Sequence, residues 1–369
     1  MKTLFISICA AALFCLAGCK AEYDPITKNI YIADAENVNY KRLTVDDLGG
    51  STSFTVRMSA PAQAQVKATL HSDPAVLEEY NKLNGTNYLP LPEHLYSLST
   101  EEVIIEPGKL SASPIKININ PLDETVNEAD KYAIPVSITG VSGTSLLEAS
   151  SHLVILLDRV IITNILKNAT FDKLVLPEEA EETMNLGNWT VEFLVRTEKF
   201  SLNQHILSIS AADDKSDHLF ARFGEYDHPV DEIQFKVWHI PYYGPTRYQP
   251  NVWHHVAITY DGASYKLYKD GKLDLQVGAG SDAGLKYSWR HFWFKAKSLS
   301  EIRIWSCVRK ESDIASNMYA VNPETEHLEL YWKVNEGQGN VIHDYTKHQR
   351  HMTARGTWVP GQRFPENME

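Results

Sequence analysis

Trp253-His254-His255-Val256-Ala257-Ile258-Thr259-Tyr260-Asp261-Gly262, followed by Tyr265-Lys266-Leu267-Tyr268-Lys269-Asp270-Gly271-Lys272-Leu273, is the stretch that decides the fold of this chain. It is rich in β-branched and aromatic residues, which suit a pleated surface. Asp270-Gly271 lies between two apolar runs, the strongest short-range signal for a two-residue hairpin turn. Working outward, residues 189–196, 205–210, 218–223 and 233–238 upstream and 301–305 and 330–334 downstream carry the same short, turn-bounded pattern. The spacing predicts antiparallel strands throughout the second half.

Further upstream, residues 53–58, 66–70, 103–105, 115–119, 132–138 and 152–157 also read as strands, with Pro107-Gly108 and Ser142-Gly143 as turns. One helix interrupts them. Ser72 or Asp73 caps it, Pro74 opens it, Val76, Leu77, Tyr80 and Leu83 share one stripe, and Gly85 follows its end. The expected fold class is all-β: an N-terminal β-sandwich with one inserted helix over residues 29–158, then a second sandwich over residues 159–369.

Both halves resemble known families. Asp73-Pro74-Ala75-Val76-Leu77-Glu78-Glu79-Tyr80-Asn81-Lys82-Leu83-Asn84-Gly85-Thr86-Asn87-Tyr88, with Leu91-Pro92-Glu93 and Tyr96, resembles the N-terminal domain of Bacteroidetes surface lipoproteins from polysaccharide-utilisation loci. That resemblance covers about residues 30–158 and implies a cellular setting, since the family offers no catalytic residues to carry over. Residues 253–262, 265–273, Glu301-Ile302-Arg303-Ile304-Trp305 and Leu330-Tyr331-Trp332-Lys333-Val334-Asn335-Glu336-Gly337, with Asp344-Tyr345, resemble the laminin-G-like branch of the concanavalin A-like jelly roll. This second resemblance covers about residues 160–361. It implies carbohydrate or protein binding, and because some relatives of the fold are glycosidases, fold alone does not assign activity.

The beginning of the chain reads as a secretory leader: Lys2, an apolar run over residues 4–16, then Leu16-Ala17-Gly18-Cys19. The run is too short to span a bilayer, which takes about 20 apolar residues. Its small-small-Cys ending resembles a lipobox, so residues 1–18 are expected to be removed, Cys19 acylated and residues 19–28 left as a tether. Lys20 in place of an aspartate, and the acidic Glu22 and Asp24, resemble outer-membrane and surface-export signals. The expected location is the outer membrane, lipid-anchored and facing outward, with other polysaccharide-utilisation surface proteins as neighbours.

Charge narrows the partners. The chain has a formal net charge of −12, and losing Lys2 with the leader makes it one unit more negative. Nucleic acid, which is held by clustered Lys and Arg, is not expected. Cys307 has no cysteine partner once Cys9 and Cys15 leave and Cys19 takes lipid.

Catalytic and metal signals are weak. Glu225-Tyr226-Asp227-His228-Pro229-Val230 approaches the Glu-x-Asp-x-x-Glu strand of glycosidases on this fold, but Val230 stands in the third acidic position and Pro229 disturbs strand pairing. His254 and His255 are strand neighbours and point to opposite faces. His343, His348 and His351 lack a zinc-site frame. No catalytic residue and no metal ligand are therefore assigned, and no cofactor beyond the single structural calcium that the resemblance allows, for which Asp213, Asp214 and Asp217 or Asp227, Asp231 and Glu232 are the candidate oxygens.

The candidate ligand surface is the loop Trp238-His239-Ile240-Pro241-Tyr242-Tyr243-Gly244-Pro245-Thr246-Arg247-Tyr248-Gln249-Pro250. Aromatic rings offer a flat apolar face to a pyranose, polar groups orient its hydroxyls, and prolines hold the platform in place before binding. Trp238, Tyr242, Tyr243 and Tyr248 are the candidate platform and Arg247 the orienting donor. Tyr287-Ser288-Trp289-Arg290-His291-Phe292-Trp293 is a second candidate patch; its residues 287, 289, 291 and 293 share a strand face, an alternation that more often means core, and Trp253, Trp305 and Trp332 also read as packing. The function expected is non-catalytic glycan capture; a glycoside hydrolase or lyase with acids from separate strands, and a protein-binding adhesin or scaffold, are the alternatives.

Overall fold

A computed structural model of the chain describes residues 28–175, 177–178, 183–185, 187–211, 217–237, 240–279 and 286–366. The leader, Cys19 and most of the tether lie outside the described residues, as do Trp238, Asp213 and Asp214. The fold is all-β, with two short α-helices among the described residues, Pro74–Asn84 and Glu311–Ser316.

Alternation builds the first sandwich. Val66, Ala68 and Leu70 on the strand Val66–Ser72 point inward, as do Ile115, Ile117 and Ile119 on Ile115–Ile119. The larger sheet runs Tyr40–Val45, His152–Arg159, Tyr132–Ser142, Val66–Ser72, Glu102–Ile105. Sheets built on Asn29–Ile32 and on Gly50–Phe54 close the other side, and one apolar core between Ile30 and Leu157 joins them.

The helix Pro74–Asn84 has the punctuation its sequence announces. The Ala75 N–H donates to the Asp73 carboxylate at 3.0 Å, and Gly85 takes φ 63° while its N–H donates to the Asn81 carbonyl. Leu77 packs with Tyr88, Ala133, Val154 and Leu156 on the outer side of the large sheet. Leu83 departs from the expected stripe and stays exposed, because the last turn runs past the sheet.

The second sandwich has two six-stranded sheets. The front sheet runs Thr183–Asn185, Lys286–Phe294, Gln204–Ala211, Asp217–Phe223, Ile233–Val237, Ile240–Tyr243. The back sheet runs Lys272–Gly278, Ser264–Lys269, Trp253–Tyr260, Trp189–Arg196, Leu299–Trp305, Leu328–Trp332. Phe193, Val191 and Ile258 from the back meet Leu207, Phe223 and Phe235 from the front in one core. The expected hairpin is present: Asp270 and Gly271 both take positive φ, 50° and 76°, between two paired strands. The long strands Ile161–Val175 and His351–Phe364 pair with each other along the sandwich.

The two cores are separate, and contacts tie them together. Val160 N–H donates to the Val45 carbonyl at 2.8 Å, and Lys333 pairs with Glu128 at 2.8 Å.

Candidate functional site

Strand alternation decides which side chains the front sheet turns away from its core. On Ile233–Val237, residues Ile233, Phe235 and Val237 enter the core, so Gln234 and Lys236 lie on the other face, where neighbouring side chains cover Gln234 and Lys236 is half-buried. Cross-strand register then carries one outward row from Trp293 through Ser208, Phe220 and Lys236 to Pro241, and a second from His205 through Arg222 and Gln234 to Tyr243. Aromatic and polar side chains are therefore interleaved across one sheet face.

The second row is tightly held. Arg222 donates to Gln234 at 2.8 Å and to the Asn203 side chain at 2.6 Å, and forms an ion pair with Glu225. Gln234 donates to the Tyr243 hydroxyl at 2.7 Å and to Glu225 at 3.1 Å. His205 stacks on Phe220 with ring centroids 4.8 Å apart, and the Arg222 guanidinium lies over the same ring. Burial lowers the Arg222 pKa, and burial together with the charge of Arg222 lowers that of Lys236.

Two adjoining hollows open along the edge of this face. One, about 610 Å³, is lined by Ser201, Asn203, Gln204, His205, Phe220, Lys295 and Lys297. The other, about 340 Å³, is lined by residues 169–171, Trp293, Phe294 and again Lys295 and Lys297. The shared lysines make them one groove. Trp293 is 41 % exposed while Phe292 is 6 % exposed, so Trp293 faces outward where the sequence reads it as core; the side chains of residues 287, 289 and 291 lie outside the described ones. Phe292 and Phe294 follow Ile209 and Leu207, their cross-strand partners, into the core.

The proline-rich loop is only partly where its sequence suggests. Tyr243 stands on the outward row, with His228 stacked on it at 3.7 Å. Tyr242, one residue earlier, turns inward against Phe235 and Tyr265. The assignment of Tyr248 to a ligand platform is corrected: it is 2 % exposed, edge-on to Phe223 at 5.0 Å, with its N–H donating to the Asp231 carbonyl. The chain folds back after Gly244, where an added Cβ would come within 2.5 Å of Leu267, and this seats Tyr248 in the core. Arg247 spends its guanidinium on Asp231, with Nε donating at 2.8 Å, and so is no free donor.

The comparisons separate the two halves. Residues 26–145 match the profile of an N-terminal domain family, and residues 168–315 match that of the concanavalin A-like lectin/glucanases superfamily, laminin-G type. The second half is a concanavalin A-like domain. A candidate carbohydrate-binding protein of Bacteroides ovatus shares the fold of nearly the whole chain: TM-score 0.66 and 23 % identity over 92 % of this chain and 100 % of that one. An SAP-like pentraxin of Limulus polyphemus covers 54 % of this chain and 94 % of its own at 12 % identity and TM-score 0.34. EndoBT-3987 of Bacteroides thetaiotamicron, solved with Man5GlcNAc product, covers 35 % and 30 % at 24 % identity and TM-score 0.29. Superposition that loose carries no functional inference. No curated protein matches the chain.

On the back of the concanavalin A-like domain, the outward side chains are covered. Arg303 reaches Glu192 at 3.1 Å and Glu301 at 2.5 Å, and also donates to the Asn317 carbonyl; Arg309 and His255 contact Glu192 as well. Desolvation works against the Glu192 charge, but His255, Arg309 and Arg303 outweigh it and hold the carboxyl at about 2; burial lowers the pKa of His255. Glu301 sits at φ 53°, uncommon for a non-glycine residue, and burial pushes its carboxyl up. Glu192 and Arg303 have no solvent exposure, so this cluster is closed to any ligand.

Other chemistry-bearing residues are also engaged. His254 contacts Asp270 at 2.9 Å, His343 lies 3.5 Å from Glu336, and His348 lies 3.4 Å from Glu329. Trp253, Trp305 and Trp332 pack as expected. Cys307 is half-buried beside Trp305 and Val321, and burial raises its thiol pKa. The calcium candidates Asp231 and Glu232 face Arg247 and His228, a poor fit for a cation. Among the described residues no group of three or more His, Cys, Asp or Glu is placed to hold a metal.

Sequence reasoning weighed Trp293 in a second candidate patch and read it as core, and it missed Lys295, Lys297, His205 and Phe220. The signal was the register 293, 295, 297, in which Trp and two Lys alternate with Phe294, Ala296 and Ser298. Past the strand end at Phe294 the chain keeps this alternation for four more residues, with the lysines on the exposed side.

Proposed function

We propose that this protein is a lipid-anchored surface protein that captures glycan, without cleaving it, on the front face of its concanavalin A-like domain. The observation that carries the reading is the groove at Trp293. An exposed indole and a partly covered Phe220 flank the Asn203 and Gln204 amides and the lysines, the mixture of ring faces and polar donors that a pyranose needs. Among the described residues neither hollow is lined by a carboxylate, whereas retaining glycosidases set two about 5 Å apart. The lipobox-like Leu16-Ala17-Gly18-Cys19 supports the anchor. We assign the first sandwich the role of spacing the second from the membrane.

Binding of the full chain to a glycan array and in polysaccharide affinity gels, beside the Trp293→Ala variant and with reducing-sugar release in the same samples, tests the proposal. Binding that weakens in the variant without sugar release supports capture at this groove. Sugar release overturns the non-catalytic reading, and binding indifferent to Trp293→Ala overturns the site.

A further inference from the structure

We infer that the front-face groove selects glycans bearing anionic groups, carboxylate or sulfate, rather than neutral ones; this rests on the front face being the glycan site. Acidic residues outnumber Lys and Arg by 47 to 35 in this chain, yet the groove inverts that balance. Lys295 and Lys297 line both hollows, are exposed, and meet no carboxylate among the lining residues. Arg222 and Lys236 lie on the same sheet face, where Glu225 pairs with Arg222 and Lys236 has no ion-pair partner among the described residues.

The lysines are positioned, not merely present. Lys295 N–H donates to the Ile206 carbonyl at 2.9 Å and the Lys297 carbonyl accepts from Ala169 N–H at 3.0 Å, so the backbone is pinned on both sides. Phe294, Ala296 and Ser298 turn inward, leaving Trp293, Lys295 and Lys297 in file on the outside. A saccharide ring on the indole therefore has ammonium groups two and four residues along. Neutral hydroxyls are served by amides such as Asn203 and Gln204, and gain less from a strongly hydrated point charge. An anion also relieves the mutual repulsion of Arg222 and Lys236, which a neutral sugar leaves in place.

The experiment compares the full chain with Lys295→Gln/Lys297→Gln and Trp293→Ala in affinity gels containing polygalacturonate, chondroitin sulfate, laminarin, mannan or polyphosphate, at low and at about 0.5 M salt. The expected result is retention by polygalacturonate or chondroitin sulfate, weakened about tenfold by the double lysine variant and by salt, and lost in Trp293→Ala. Polygalacturonate carries carboxylates alone and chondroitin sulfate carries both anions, so retention of polygalacturonate shows that carboxylate suffices, whereas retention of chondroitin sulfate without polygalacturonate assigns the preference to sulfate. Retention by laminarin or mannan that Trp293→Ala abolishes and Lys295→Gln/Lys297→Gln leaves intact overturns the anionic inference while keeping the groove. Equal retention by polyphosphate overturns glycan selectivity. Binding unaffected by Trp293→Ala, or no binding to any polymer, overturns the groove itself.

Discussion

The two outer faces of the concanavalin A-like domain draw on the same residue types and end in opposite states. Behind, Glu192, Glu301, Arg303 and His255 are sealed under the segment that follows Trp305, and each charge has an opposite within reach. In front, Arg222, Lys236, Lys295 and Lys297 stand among Phe220 and Trp293 with one paired acid, Glu225. Burial without pairing is costly, so the rear cluster had to be balanced to exist at all. The front faces water and tolerates imbalance. Perturbed charge alone is thus a poor guide to function here; perturbed charge that solvent can reach is the informative kind.

The contrast breaks or sharpens at several points. Arg303→Met leaves Glu301 buried without its cation and takes one of two arginines from Glu192, and is expected to cost about 3–5 kcal/mol in urea unfolding; a loss under about 1 kcal/mol would erase the distinction between the faces. Tyr248→Ala opens a cavity beside Phe223 and should cost a similar amount, about 3–5 kcal/mol, whereas a surface residue would cost almost nothing.

Acid probes the rear cluster directly. His255 binds its proton less readily folded than unfolded, so stability falls as pH drops below the ordinary histidine range near 6.5. Glu192, held at about 2 against an unfolded 4.5, adds stability above 4.5 that is lost between there and about 2, on the order of 3 kcal/mol. Glu301, pushed the other way, gains as pH falls and partly offsets both. Thermal midpoints from pH 8 to 4 should therefore decline, more steeply in Glu301→Gln; a flat profile would contradict the sealed cluster.

At the front, Trp293→Ala should abolish glycan retention and Lys295→Gln/Lys297→Gln weaken it about tenfold, roughly 1.4 kcal/mol, with the unfolding midpoint nearly unchanged in both. Tyr243→Ala, which removes the ring under His228 and the hydroxyl bonded to Gln234, should have the smallest effect, about 1 kcal/mol of stability.

Much of the fold was legible because local chemistry and tertiary context agree. Asp73, Pro74 and Gly85 mark a helix wherever they are met in that order, and Asp270-Gly271 supplies the turn that the flanking strands require. The site was less legible. Residues 287–294 place aromatics on both faces of a strand, so alternation cannot choose between them; the neighbours Leu207 and Ile209 choose. Tyr248 resembles its loop companions in sequence, and only the return of the chain over the back sheet buries it. The rear ion cluster was invisible because its lid comes from residues far along the chain, around Asn317.

One feature of the topology sets a schedule. Ile161–Val175, the opening strand of the domain, finds its partner in His351–Phe364, with Ile161 opposite Phe364 and Val175 opposite His351. For a chain threaded through a membrane from its N-terminus, that clasp cannot close until Phe364 has crossed. The N-terminal sandwich, whose core is complete by Leu157, is free to fold while the rest is still in transit. The concanavalin A-like half must wait, its aromatic strands exposed, and would depend on whatever shields unfinished β-structure on the far side.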